Sequence, residues 1–211
     1  MYNETKLLAG GMVMLGVATS ALVVVPYLTV RDLPPPAELK PYTSAELRGR
    51  QQYIANGCVY CHSQQPRAKA FAPDTERGWG RPSVAADYAY DTPHLLGTMR
   101  TGPDLFNIGA RQPSDQWHLG HLFQPRAYVQ GSIMPSYPYL FELKAKADPG
   151  DVEVVLPPGY SHGKTVVATK EALDLVAYLK SLNHTYAIVE LPPETSATSA
   201  TSATAASGAA R

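Results

Sequence analysis

The chain has 211 residues, with 18 Lys and Arg balanced by 18 Asp and Glu, so its formal net charge is zero. That balance leaves no broad basic field, and nucleic-acid binding is excluded on that ground. The length permits one or two domains.

In chain order, Leu7 to Val30 holds no Asp, Glu, Lys, Arg or His. It exceeds the roughly 20 apolar residues that cross a hydrocarbon core of about 30 Å. A cleaved secretory segment has an apolar stretch of only about 7–15 residues, and no A-x-A pattern follows this one. Residues 1–32 are therefore expected to form a retained membrane anchor. Gly10, Gly11 and Gly16, with Ala9, Ala18 and Ser20, give it small-residue faces that another helix could approach. Pro26 falls near its outer end, where a kink is tolerated. Lys6 and Arg31 flank the run on opposite sides, so the positive-inside rule barely decides its orientation.

Leu33-Pro34-Pro35-Pro36 and Pro41 read as a stiff, extended linker over 33–41. A folded domain is expected over 42–192, and it opens with a capping box of Thr43 and Glu46. The helix it starts runs through Leu47, Gly49 and Tyr53 to Asn56-Gly57. A shorter helix is predicted from Ser114-Asp115 through Trp117 and Leu122 to just before Pro125. Val152 to Val167 is β-branched around Pro157-Pro158-Gly159 and suggests a small hairpin or loop. A last helix is predicted from Lys170 to Leu182 with Thr169 as its N-cap. Ala172, Leu175, Val176, Leu179 and Leu182 share one face of it. The tail, 193–211, repeats Ser-Ala-Thr three times and has nothing to bury, so disorder is expected there.

The two cysteines of the chain stand in Cys58-Val59-Tyr60-Cys61-His62. C-x-x-C-H is the attachment pattern of a c-type haem, whose vinyl groups take the two thiols while the histidine ligates iron. A structural zinc site would need further ligands, and there is no second C-x-x-C. A redox dithiol would need a βαβ pattern that is absent. A disulfide between these two would close a very small loop and stabilise little. Such haem is normally attached outside the cytoplasm, so the folded domain is expected in the periplasm of a bacterial inner membrane. A second axial ligand must come from Met99, Met134, His94, His118, His121, His162 or His184. Buried propionates would need cations or donors. Arg67, Arg81, Arg100, Arg111, Arg126, Trp79 and Tyr60 are candidates.

The layout of a first helix leading into C-x-x-C-H and a last helix crossing it resembles a class I cytochrome c. On that resemblance Gly49 and Tyr53 meet Leu175 and Tyr178 at a tight crossing. Gly102-Pro103-Asp104-Leu105 is similar to the family's G-P-x-L motif, which implies that the Pro103 carbonyl accepts the His62 Nδ1–H. Ser132-Ile133-Met134-Pro135 is similar to its methionine-ligand loop, which implies Met134 as the second ligand. His118 and His121, three apart, are expected to be solvated or packed rather than ligating. The fold class implied is mainly α: a single transmembrane helix plus a class I cytochrome c-like haem domain with long loops.

A closer resemblance rests on Gly49-Arg50-Gln51-Gln52-Tyr53-Ile54, Gly57 to Gln65, Arg100 to Leu105, Asp115-Gln116-Trp117-His118 and Ser132 to Pro138. In order and spacing these are similar to the monohaem subunit II, FixO/CcoO type, of cbb3-type cytochrome c oxidases. The resemblance implies an electron-transfer subunit that is not itself catalytic. Its haem c would take electrons from a donor cytochrome c, either a dihaem subunit or a soluble protein. It would pass them to the haem b of a membrane-embedded haem-copper catalytic subunit that reduces oxygen. The alternative is an anchored cytochrome c serving another respiratory complex, such as a nitric oxide reductase. The segment between His62 and Gly102 is expected to form a docking surface against the catalytic subunit.

Overall fold

The computed structural model describes residues 2–160 and 163–188. His162, the last residues of the expected domain and the Ser-Ala-Thr tail lie outside the described residues. Helix α1, Asn3–Val30, is one continuous apolar rod of 28 residues with none of it buried. At about 1.5 Å per residue it is long enough to cross a bilayer. Its hydrogen-bond ladder widens into a π-helical turn over Ser20–Val24, just ahead of Pro26. Proline offers no N–H to the Leu22 carbonyl and crowds it, and the wider turn makes room. The linker that follows is extended apart from one turn closed by Leu39 N–H on Pro36 O at 3.0 Å.

Four further α-helices follow among the described residues. Helix α2 is Ser44–Ala55, capped by Thr43, whose hydroxyl accepts from Glu46 N while Glu46 returns the bond to Thr43 N. Helix α3 is the single turn Ile108–Arg111, α4 is Asp115–Phe123 with Ser114 as N-cap, and α5 is Lys170–Ser181 with Thr169 as N-cap. Strands β1 (Phe141–Lys144), β2 (Val152–Glu153) and β3 (Thr165–Ala168) form an antiparallel sheet in the order β1-β3-β2. Ala168 pairs with Phe141 on one side and Val152 on the other. The hairpin expected over 152–167 thus exists as β2 and β3, and β1 adds a third strand.

Helices α2 and α5 cross in contact. A Cβ on Gly49 would lie 1.8 Å from Asp174 O and 2.8 Å from Tyr178 Cβ, so only glycine permits this approach. Tyr53 and Tyr178, both fully buried, meet edge to face with ring centroids 5.5 Å apart. Arg48 ties the crossing from outside with two bonds to Asp174, at 2.7 and 2.8 Å. Leu105, Leu119, Leu122, Val166, Leu175 and Leu182 belong to the one core that joins these helices to the sheet.

The long segment between His62 and Gly102 is mostly without regular structure, but it is not loose. Arg100 meets the fully buried Asp74 at 2.8 Å, and Arg81 meets the buried Asp87 at 2.7 Å. Arg50 of α2 lies 3.4 Å from Asp91. The segment after α5 folds back onto the same stretch: Tyr186 donates to Asp87 at 2.9 Å and its carbonyl accepts from Arg81 Nε at 3.0 Å.

Candidate haem-binding site

After α2 the chain enters a short 3-10 turn, Cys58–Tyr60. Cys61 N–H and His62 N–H both donate to Cys58 O, at 3.2 and 3.0 Å, so one turn of backbone presents both sulfurs and the imidazole. Both thiols are free; Cys58 is half-buried and Cys61 exposed. Burial pushes the Cys58 thiol up to about 11. It is therefore neutral at physiological pH.

The ring of His62 is held from behind. Its Nδ1 lies 2.8 Å from Pro103 O; a carbonyl can only accept, so the proton sits on Nδ1 and Nε2 keeps its lone pair for a metal. A Cβ on Gly102 would fall 2.2 Å from His62 Cε1, so the ring lies directly on that glycine. Two backbone bonds fix the register, Gly102 N–H to Cys61 O at 2.9 Å and Leu105 N–H to Ser63 O at 2.8 Å. Asp104 is fully buried; its carboxylate accepts from Ser63 Oγ at 2.6 Å, Gln65 N at 2.8 Å and Phe106 N at 2.8 Å. Burial still outweighs those donors and leaves its carboxyl above the usual range. The His62 ring is pushed the other way, below its ordinary value, chiefly by burial.

Of the expected propionate partners, Arg81 is engaged by Asp87 and Tyr186. Arg67, Arg126 and Tyr60 are exposed. Trp79 is buried with the Arg100 guanidinium 5.3 Å from its ring centroid. Arg100 itself donates to Ser63 Oγ at 3.0 Å, Asp74 at 2.8 Å and Gln65 O at 2.7 Å, bracing the turn that follows His62. Arg111 differs: it donates to Asp104 O, its Nε is buried without a partner, and its charge reaches His62.

Met134 is half-buried and packs on the core, as do Cys58, Val59 and Tyr137. Its segment is tied back to α4 and to the turn before Cys58. Tyr137 N–H donates to Leu122 O at 3.0 Å, and the Tyr139 hydroxyl donates to Asn56 Oδ1, two residues before Cys58. Burial, with the nearby Cys58 thiol, raises the Tyr137 hydroxyl to about 12, so the methionine loop adjoins the cysteine turn. Met99 is 56% exposed and His94 is exposed. His118 is buried, with Nε2 on Gln112 O at 2.8 Å, and His184 is buried with Nδ1 on Phe106 O at 2.7 Å. His121 stacks on Trp117, so this helix pair packs rather than being solvated.

These residues fit a covalent haem. Two free thiols, an imidazole with its outer nitrogen available and a half-buried thioether are gathered by one turn and one loop that touch. A half-buried arginine, Arg111, whose buried Nε is unanswered suits a carboxylate-bearing edge. Among the described residues no three His, Cys, Asp or Glu side chains come together to hold a bare ion. A family model described as cytochrome C oxidase, mono-heme subunit/FixO, matches residues 2–155. No curated protein matches the chain.

Proposed function

The chain belongs to the family of mono-haem, FixO-type subunits of cytochrome c oxidase, and from that premise we propose that it relays electrons through one covalent haem c within a cbb3-type oxidase. The acceptor is the haem b of a membrane-embedded haem-copper catalytic subunit, and the donor is a dihaem or soluble cytochrome c. Helix α1 anchors the subunit in the bacterial inner membrane with the folded domain in the periplasm.

The observation that carries this reading is the His62–Pro103 bond, with Gly102 flat against the ring beside two free thiols. Cys58 and Cys61 would hold the haem by thioethers, and His62 and Met134 would supply the nitrogen and sulfur that ligate its iron. Bound there, the haem supplies one-electron chemistry, and a thioether ligand favours the reduced iron. Pro103 keeps the His62 ring from turning and keeps its proton on Nδ1. Arg111 serves a propionate, since it alone of the five expected arginines combines a buried, unanswered nitrogen with proximity to His62. Arg100 supports the site by fixing Ser63, Gln65 and Asp74 around the motif.

The test is purification of the complex through this chain in mild detergent, followed by a reduced-minus-oxidised spectrum and oxygen uptake. Haem b bands, copper and cyanide-sensitive uptake beside the haem c signal are expected. A haem c spectrum without oxygen uptake would move the subunit to another respiratory complex.

A further inference from the structure

Among the described residues, His121 is the imidazole with a buried nitrogen that the fold leaves unanswered. Its Nδ1 is buried with no hydrogen-bond partner, whereas His118 and His184 each have a backbone carbonyl. The ring cannot easily turn to find one. It stacks on Trp117 with centroids 4.6 Å apart and planes 8° apart, and Tyr128 stands edge-on to both rings. Burial holds the imidazole uncharged, with its pKa brought down to about 4, and His62 and His118 add to that effect. The ring is thus within electrostatic reach of His62.

It also lies on the helix over which the Met134 segment folds back. Tyr137 N–H bonds Leu122 O at 3.0 Å, Ser136 Oγ lies 3.4 Å from Gln124 Oε1, and Met134 rests on the core that holds Leu119 and Leu122. A haem perimeter is hydrocarbon apart from its two carboxylates, and Arg111 stands ready for those beside Asp104. What remains on the Met134 side is the thioether sulfur, a weak acceptor.

We infer that His121 is a positioning residue of the haem site, its Nδ1–H donating to the Met134 sulfur in the haem-loaded protein. The inference rests on the haem reading above. Such a bond fixes the thioether's orientation and draws electron density from it, which favours reduced iron over oxidised iron.

The test compares the wild-type chain with His121→Phe and His121→Asn in the assembled complex. Phenylalanine keeps the stack on Trp117 and removes the donor; the asparagine amide nitrogen falls near the position of Nδ1. Haem per chain, the weak red charge-transfer band of thioether-ligated ferric haem, and the midpoint potential are measured. His121→Phe is expected to keep one haem, shift the band and lower the midpoint, and His121→Asn to return both toward wild type. His121→Leu replaces the Phe variant if that one does not accumulate. Unchanged band and midpoint without the donor would overturn the inference, as would equal shifts in the donor and donor-free variants. A midpoint shift with an unmoved band would overturn it too, assigning the nitrogen to a haem carboxylate. A wild-type chain without covalent haem would remove the haem reading, and this inference with it.

Discussion

The crossing of α2 over α5 and the segment from His62 to Gly102 both support the same histidine, yet by different physics. The crossing is apolar and set by contact: Gly49 against Asp174 and Tyr178, Tyr53 against Tyr178. The segment has little regular structure and is held by buried charge, with Asp74, Asp87 and Asp91 each facing an arginine. Packing of the first kind tolerates no added volume. Pairing of the second kind tolerates volume but not the loss of one partner.

The largest effect should come at the crossing. Gly49→Val puts branched carbon where backbone already lies within 1.8 Å of a Cβ, so folded, haem-bearing chain should fail to accumulate; normal haem staining would refute the contact argument. Next is Asp74→Ala, which takes the closer of two carboxylates from the half-buried Arg100, leaving Asp104 at 3.8 Å, and should cost about 3 kcal/mol in denaturant unfolding. The pair Asp74→Ala with Arg100→Met removes both charges and should recover most of that loss; simple addition of the two effects would show that the charges are not coupled.

A smaller effect concerns acid. Burial alone would raise the Asp87 carboxyl, but Arg81, Val84 N and Tyr186 outweigh it, and the net pKa lies below the usual 3.8. An acid depressed in the folded state stabilises the fold above 3.8, and that contribution fades as pH falls through the lower folded value. Asp87→Asn should therefore be less stable at neutral pH and lose less further stability on acidification; parallel pH profiles would contradict this. The smallest effect should be at Lys69–Glu76, an exposed pair 3.0 Å apart, where Lys69→Ala should leave the unfolding midpoint unchanged because solvent screens such pairs.

The same division decides what could be read from the chain. Thr43 and Glu46, Ser114, and Thr169 mark helix starts by local chemistry, and each cap is present. The C-x-x-C-H and G-P-x-L strings are contiguous, so the His62–Pro103 pairing could be anticipated from a resemblance. Strand β1 could not, since its pairing with β3 joins residues far apart and neither strand alternates cleanly. The π turn before Pro26 follows from the proline, yet only backbone geometry places it at Ser20–Val24. The arginine–aspartate pairs of 63–101 have no period, so arginines alike in composition proved different: Arg81 and Arg100 are paired, and Arg111 meets no carboxylate among the described residues. His121 carries no sequence signal separating it from His118; only the missing partner of its buried Nδ1 does.

The central claim is that Cys58 and Cys61 carry one haem. It is tested most directly by a pyridine haemochrome assay on the denatured full-length chain and on the variant with both cysteines changed to alanine. The account predicts one covalently retained haem per wild-type chain and none in the variant. A wild-type chain that loses its haem on denaturation, or a variant that keeps it, would contradict the account.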